Sequence, residues 1–173
     1  MTSMSPVRPT LLNSCAFATS AAEARFRIDA APQPDRQTRV VALDPGANAV
    51  VRPLIGLPWR SSRFLTYAPN RMLPAPTNAA TLTNTVDGSD VPLTLALADA
   101  DFVLMVATAN DGAPAASAIG LECVRRGIMT AAVVLGEWHA VDDAVNALRP
   151  HARVLLVSRD HGDVAELMSV VAS

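Results

Sequence analysis

Four short apolar runs, at residues 40–43, 102–107, 128–135 and 154–158, constrain this chain more than any other feature. None alternates apolar with polar positions, so each run calls for burial on both of its faces, which a parallel sheet covered by helices provides. The segments between the later runs carry helical spacing: 114–126, closed by Gly127, then 140–148, then the stretch from Val164 onward. Strands alternating with helices, joined by right-handed crossovers, place helices on both sides of one sheet. The expected fold is therefore α/β, a three-layer Rossmann-like parallel sheet. In such sheets the ligand crevice lies beyond the carboxyl ends of the strands, so functional residues belong in the loops after Leu43, Tyr67, Ala107, Leu135 and Ser158.

The remaining segments are less regular. Residues 1–38 hold no lasting period and end in the breaker cluster Pro32-Gln33-Pro34-Asp35, which marks an N-terminal extension, partly irregular, ahead of a single domain at 39–173. Within that extension, residues 25–30, with Phe26 and Ile28 on one face, have the pattern of a short edge strand. Residues 48–55 read as a helix that Pro53 shortens or kinks, and residues 63–67 as a strand. Three prolines and several Asn and Thr make 68–90 a long irregular connection, with a strand around 81–85 and a helix from Val91 to about residue 98.

Charge and composition exclude several function classes. The chain has 173 residues and a net charge of −2, from 14 basic and 16 acidic side chains with no basic block, so neither nucleic acid nor a membrane surface is an expected partner. Every basic residue is arginine. Without lysine there is no Walker-type phosphate loop, no pyridoxal Schiff base and no kinase-like phosphate lysine. No apolar run approaches the roughly 18 residues of a membrane helix. Residues 11–15 loosely resemble a lipoprotein cleavage site, but Pro9 and Asn13 interrupt the apolar core that export needs, so a cytoplasmic location is expected. Cys15 and Cys123 lie far apart with no CxxC and no His at ligand spacing, which reads as two reduced thiols.

Two collinear stretches carry a family resemblance. The first is Val40-Val41-Ala42-Leu43-Asp44-Pro45-Gly46-Ala47-Asn48-Ala49-Val50-Val51-Arg52, followed by Gly56-Leu57 and the strand Phe64-Leu65-Thr66-Tyr67. The second runs from Ala98-Asp99-Ala100-Asp101-Phe102-Val103-Leu104-Met105 to Gly127-Ile128-Met129-Thr130-Ala131-Ala132-Val133-Val134. Their order and spacing resemble the nucleotide-binding half of the bacterial division GTPase FtsZ and its tubulin relatives, over residues 39 to about 163. The resemblance implies a sheet order of 3-2-1-4-5-6, an ancestral GTP hydrolysis activity, and assembly through faces of this domain. It places the nucleotide site at Asp44, Gly46, Asn48, Asn110, Asp111 and Gly112.

The departures fall on the chemistry. Where the family has a glycine-rich signature whose N–H groups bind phosphates, this chain has Thr108-Ala109-Asn110-Asp111-Gly112-Ala113-Pro114, with one glycine left. Asp111 and Asp44 add carboxylates, while Pro114 and Pro45 remove donors. The acidic loop that completes the family's hydrolytic site has no counterpart up to Ser173. Weak or absent GTP and GDP binding is expected, no resident cofactor, and a role as a protein-interaction or regulatory module with a homo-oligomer or an FtsZ-like protein as partner. The alternative is a small Rossmann-like enzyme or ligand-binding protein whose acidic strand-end crevice, built from Asp44, Asp111, Glu137 and Asp160 beside Asn110, holds Mg²⁺ weakly.

Plainer roles accompany several of these residues. Asp111 suits an N-cap, Asn48 suits capping of a helix at 49–52, and Asp142-Asp143 suit a helix start. His139 and His161 follow strands but lack a base–orienter partner, and His151 has no assigned role. Trp59 fits either core packing or a protein contact.

Overall fold

The computed structural model describes residues 36–67 and 81–172. The edge strand expected at 25–30, the Cys15 region and residues 68–80 of the connection expected over 68–90 lie outside them. Seven strands form one mixed sheet: β1 (Thr38–Ala42), β2 (Ser62–Tyr67), β3 (Thr81–Asn84), β4 (Asp90–Pro92), β5 (Phe102–Ala107), β6 (Met129–Leu135) and β7 (Val154–Ser158), in the order β4-β3-β2-β1-β5-β6-β7. The α-helices among the described residues are α1 (Pro45–Val51), α2 (Leu93–Ala96), α3 (Ala113–Arg126), α4 (Asp142–Leu148) and α5 (Gly162–Val171).

Burial on both faces is what the apolar runs required. In the central strands, Val41, Val103, Met105, Ala132 and Val134 face a core closed by Leu93, Ile119, Cys123, Val145 and Leu148 of α2, α3 and α4. Their neighbours Val40, Ala42, Leu104, Val106 and Val133 face the opposite core, closed by Ala47 and Val51 of α1 and Val164 and Met168 of α5. The architecture is thus α/β with helices on both faces of the sheet.

The expected order 3-2-1-4-5-6 of a wholly parallel sheet is not the one found: the sheet has seven strands and departs from it at one edge. β1 pairs in parallel with β2 and β5, and β5, β6 and β7 continue in parallel. β3 runs antiparallel to β2, and β4 returns antiparallel to β3, giving a seventh strand. The return of β4 along β3 has its cause in local turn chemistry. The Asn84 side chain accepts from the Val86 N–H at 3.0 Å, Asp87 accepts from the Ser89 N–H at 2.9 Å, and Gly88 takes the left-handed conformation at φ 71°. These side-chain turns fold residues 84–89 back as a hairpin. The helix expected from Val91 is accordingly displaced: Val91 pairs with Leu82 in the ladder, and only Leu93–Ala96 is helical.

Other elements end for the expected reasons. Pro53 stops α1, which passes into a 3-10 turn over Arg52–Leu54. Gly127, at φ 70°, closes α3 with its N–H on the Cys123 and Val124 carbonyls, and Arg125 and Arg126 occupy the last turn.

Cys123 is fully buried against the sheet. Burial, with the Glu122 carboxylate adding to it, pushes its thiol up to about 12. The thiolate is the reactive form, so Cys123 is inert in the native protein. In a Cys15→Ser variant at pH 8, a maleimide is expected to label nothing in buffer and one thiol per chain in denaturant; stoichiometric labelling in buffer would show that this face of the core opens readily.

Candidate functional site

β1 connects towards β2 on one side and β5 towards β6 on the other, so their carboxyl ends bound the point at which strand order reverses, where open α/β sheets take ligands. Two turns meet there: residues 43–46, leading into α1, and residues 107–112, leading through a 3-10 turn into α3.

The Asp44 carboxylate joins them. Its Oδ1 accepts from the Ala47 N–H at 2.8 Å and from the Thr108 hydroxyl at 2.6 Å. Its Oδ2 accepts from the N–H groups of Thr108 at 2.7 Å and Ala109 at 3.2 Å. Asp44 is 3% exposed. A single buried carboxylate thereby takes donors from both turns, and four charge-assisted hydrogen bonds satisfy most of its lone-pair capacity. It is also the N-cap of α1, with Pro45 in the first turn, where a missing N–H costs nothing.

This corrects the role expected for Asn48. The helix starts at Pro45, so Asn48 lies inside it and does not cap it. Its Oδ1 instead accepts from the Thr66 hydroxyl at 3.2 Å, and Thr66 in turn meets Thr85 at 3.2 Å, which ties α1 to β2 and the β3 hairpin.

The two glycines of the candidate site serve chain-to-chain packing. A Cβ on Gly46 would stand 2.1 Å from the Thr108 hydroxyl, and one on Gly112 would stand 2.6 Å from the Leu43 Cβ. Their bare backbones let the two turns seat against each other around Asp44.

Asn110 and Asp111 behave differently from expectation. The Asn110 side chain accepts from the Ala144 N–H at 3.1 Å, reaching across to α4. Asp111 makes no cap hydrogen bond and stands exposed, because the chain reaches α3 through Asn110–Gly112 and Gly112 holds the cap position.

The acidic residues proposed to share Mg²⁺ are not brought together. Asp44 is filled by protein donors, exposed Glu137 pairs with Arg159, and Asp160 turns back to accept from the Gly162 N–H at 2.8 Å. Among the described residues no group of three or more His, Cys, Asp or Glu side chains is placed to hold a metal. Asp142 and Asp143 begin α4, as expected for acidic residues at a positive helix end.

His139 and His161 are exposed. His151 packs its ring so closely on α3 that a Cβ on Gly120 would stand 2.3 Å from it, and its carbonyl accepts from the Thr130 hydroxyl. Trp59 is a packing residue, its indole N–H donating to the Leu54 carbonyl at 2.7 Å and its ring lying against the α1 core. It lines a cleft of about 320 Å³ with Ile55, Leu57, Arg63, Phe64 and Val86, beside the start of β2 and apart from the Asp44 turns. Trp138, after β6, is 50% exposed.

Sequence reasoning named Asp44 but missed its main partner, Thr108, which lies 64 residues away and carries no motif of its own. No helix among the described residues is long and apolar enough to cross a membrane. The chain matches no protein-family model, no curated protein and no solved structure with which it was compared.

Proposed function

We propose that this domain is a non-catalytic relative of the FtsZ/tubulin nucleotide-binding fold, in which a carboxylate of the chain itself occupies the place of a bound phosphate, and that it works through protein contacts. The observation that carries the reading is the set of four hydrogen bonds converging on Asp44 from the turns after β1 and β5. Those are the two turns at which the resemblance places the nucleotide, and the strands that lead into them, β1 and β5, are neighbours in the sheet.

The energetics favour the same reading. A phosphate would have to displace a buried carboxylate and take over its donors. Micromolar binding corresponds to about 8 kcal/mol. Evicting a charge-assisted buried group costs on the order of 4 kcal/mol, which leaves millimolar affinity at best. Contacts with protein fit the surface better: Trp138 is half exposed, and aromatic anchors of that kind dominate binding hot spots.

Calorimetric and thermal-shift titrations with GTP, GDP and Mg²⁺ test this. No saturable binding is expected from any of them at concentrations up to about 100 µM. A GTP or GDP dissociation constant below about 100 µM, near −5.5 kcal/mol, would defeat the filled-cradle reading. Strong stabilisation by Mg²⁺ alone would favour a metal-assisted ligand site.

A further inference from the structure

We infer that β7 is an assembly edge and that its partner is β7 of a second copy, paired antiparallel about a twofold axis centred on Leu156. β7 ends the sheet and pairs with β6 alone among the described strands, so the outward half of its N–H and C=O groups has no strand partner among the described residues. Its side chains are also bare. Val154 is 53% and Leu156 38% exposed, whereas their ladder neighbours Ala131 and Val133 are 2% and 0% exposed. The α5 residues Val164 and Met168 are buried in the core on this same face, and that core does not extend to Val154 or Leu156.

Edge strands of monomeric proteins carry protection: a proline, a lysine, a bulge or an inward charge. Val154-Leu155-Leu156-Val157-Ser158 carries none. A second copy fits because the strand complements itself. With Leu156 opposite its own counterpart, Leu155 faces Val157 and Val154 faces Ser158, so apolar pairs form on both faces of the joint. The one like-charge position, Arg153 opposite Arg159 of the second copy, is relieved by Glu137, which already pairs with Arg159. Arg153 is exposed and makes no ion pair among the described residues, so it is placed to share that carboxylate across the axis. A closed twofold joint of this kind is the commonest form of protein self-association.

The inference rests on the protein-contact reading and supplies its surface and occupant. At about 50 µM, where a micromolar association is essentially complete, light scattering is expected to give twice the 18.2 kDa mass of one chain. Leu156→Lys and Val154→Lys, both at exposed positions, are expected to return a single-chain mass with an unchanged circular dichroism spectrum. In a Cys15→Ser background, Leu156→Cys is expected to cross-link two copies on mild oxidation, while Val124→Cys, exposed on α3, does not. A monomeric wild type, a dimer that survives both lysine substitutions, or equal cross-linking at the two cysteine positions would each overturn the assignment. Assembly and nucleotide binding are read separately, so failure here is distinguishable from failure of the filled-cradle reading.

Discussion

Asp44→Ala is expected to lower the melting temperature by roughly 10–20 °C, the shift produced by a loss of about 3–5 kcal/mol in a domain of this size. Removing the N-cap of α1 accounts for about 1 kcal/mol of that. The rest comes from the Thr108 N–H, the Thr108 hydroxyl and the Ala109 N–H, which lose their acceptor in a part-buried setting at about 1 kcal/mol or more each. Against a total stability of about 5–15 kcal/mol this is a large fraction. A small anion should partly reverse it. Formate at about 0.1 M is expected to recover on the order of 1 kcal/mol in the alanine variant, by binding the native state alone, and to leave the wild type unmoved relative to chloride. An alanine variant as stable as the wild type would mean that the two turns hold together without the carboxylate, and the case for a built-in phosphate substitute would fall with it.

The same residue shows how far the sequence could be read. The apolar runs at Phe102–Ala107 and Val154–Ser158 announced their strands because long uninterrupted burial and flanking breakers leave little choice. Gly127 announced the end of α3 because only a residue free of a Cβ adopts its conformation cheaply. Asp44-Pro45-Gly46 was more ambiguous. Asp-Pro-Gly is turn chemistry, and it is equally an N-cap followed by a proline in the first helical turn; the second reading prevails because the Asp44 side chain is held from the far side by Thr108. That contact spans 64 residues and leaves no local trace. β4 was invisible for a related reason. Three residues carry no period, and their strand exists only because the side-chain turns at Asn84 and Asp87 bring them against β3. Asp111 failed as a cap because it lies inside a 3-10 turn that leads into α3, leaving Gly112 at the cap position, and residue preference does not register that one-residue difference.

Arg39→Ala is expected to cost about 3–4 kcal/mol, and Arg39→Met no more than about half of that. Arg39 sits in β1 at 1% exposure, opposite Arg63 of β2 and Val103 of β5. At the start of a strand an arginine reads as a surface residue, yet this one is enclosed. Its Nε–H donates to the Ala96 carbonyl at 3.0 Å and its terminal nitrogen to the Thr38 carbonyl at 3.2 Å. The Ala96 carbonyl is one of the terminal carbonyls that the single turn of α2 leaves without a helical donor, so the guanidinium closes that turn as a cap in trans. Burial lowers the Arg39 pKa and the neighbouring Arg63 lowers it further, while Asp99 and Asp101 act the other way. The charge itself is thus a weak source of stability. What the alanine variant loses is the packed stem and the donor to Ala96, which leaves a void and an orphaned carbonyl together. Methionine keeps the stem, removes a charge that is costly to bury, and forfeits only the hydrogen bonds. Urea unfolding of the two variants decides the matter. Equal losses would mean that the hydrogen bond to α2 dominates, whereas a methionine variant close to wild type would identify Arg39 as a core residue whose charge is tolerated because two carbonyls receive it.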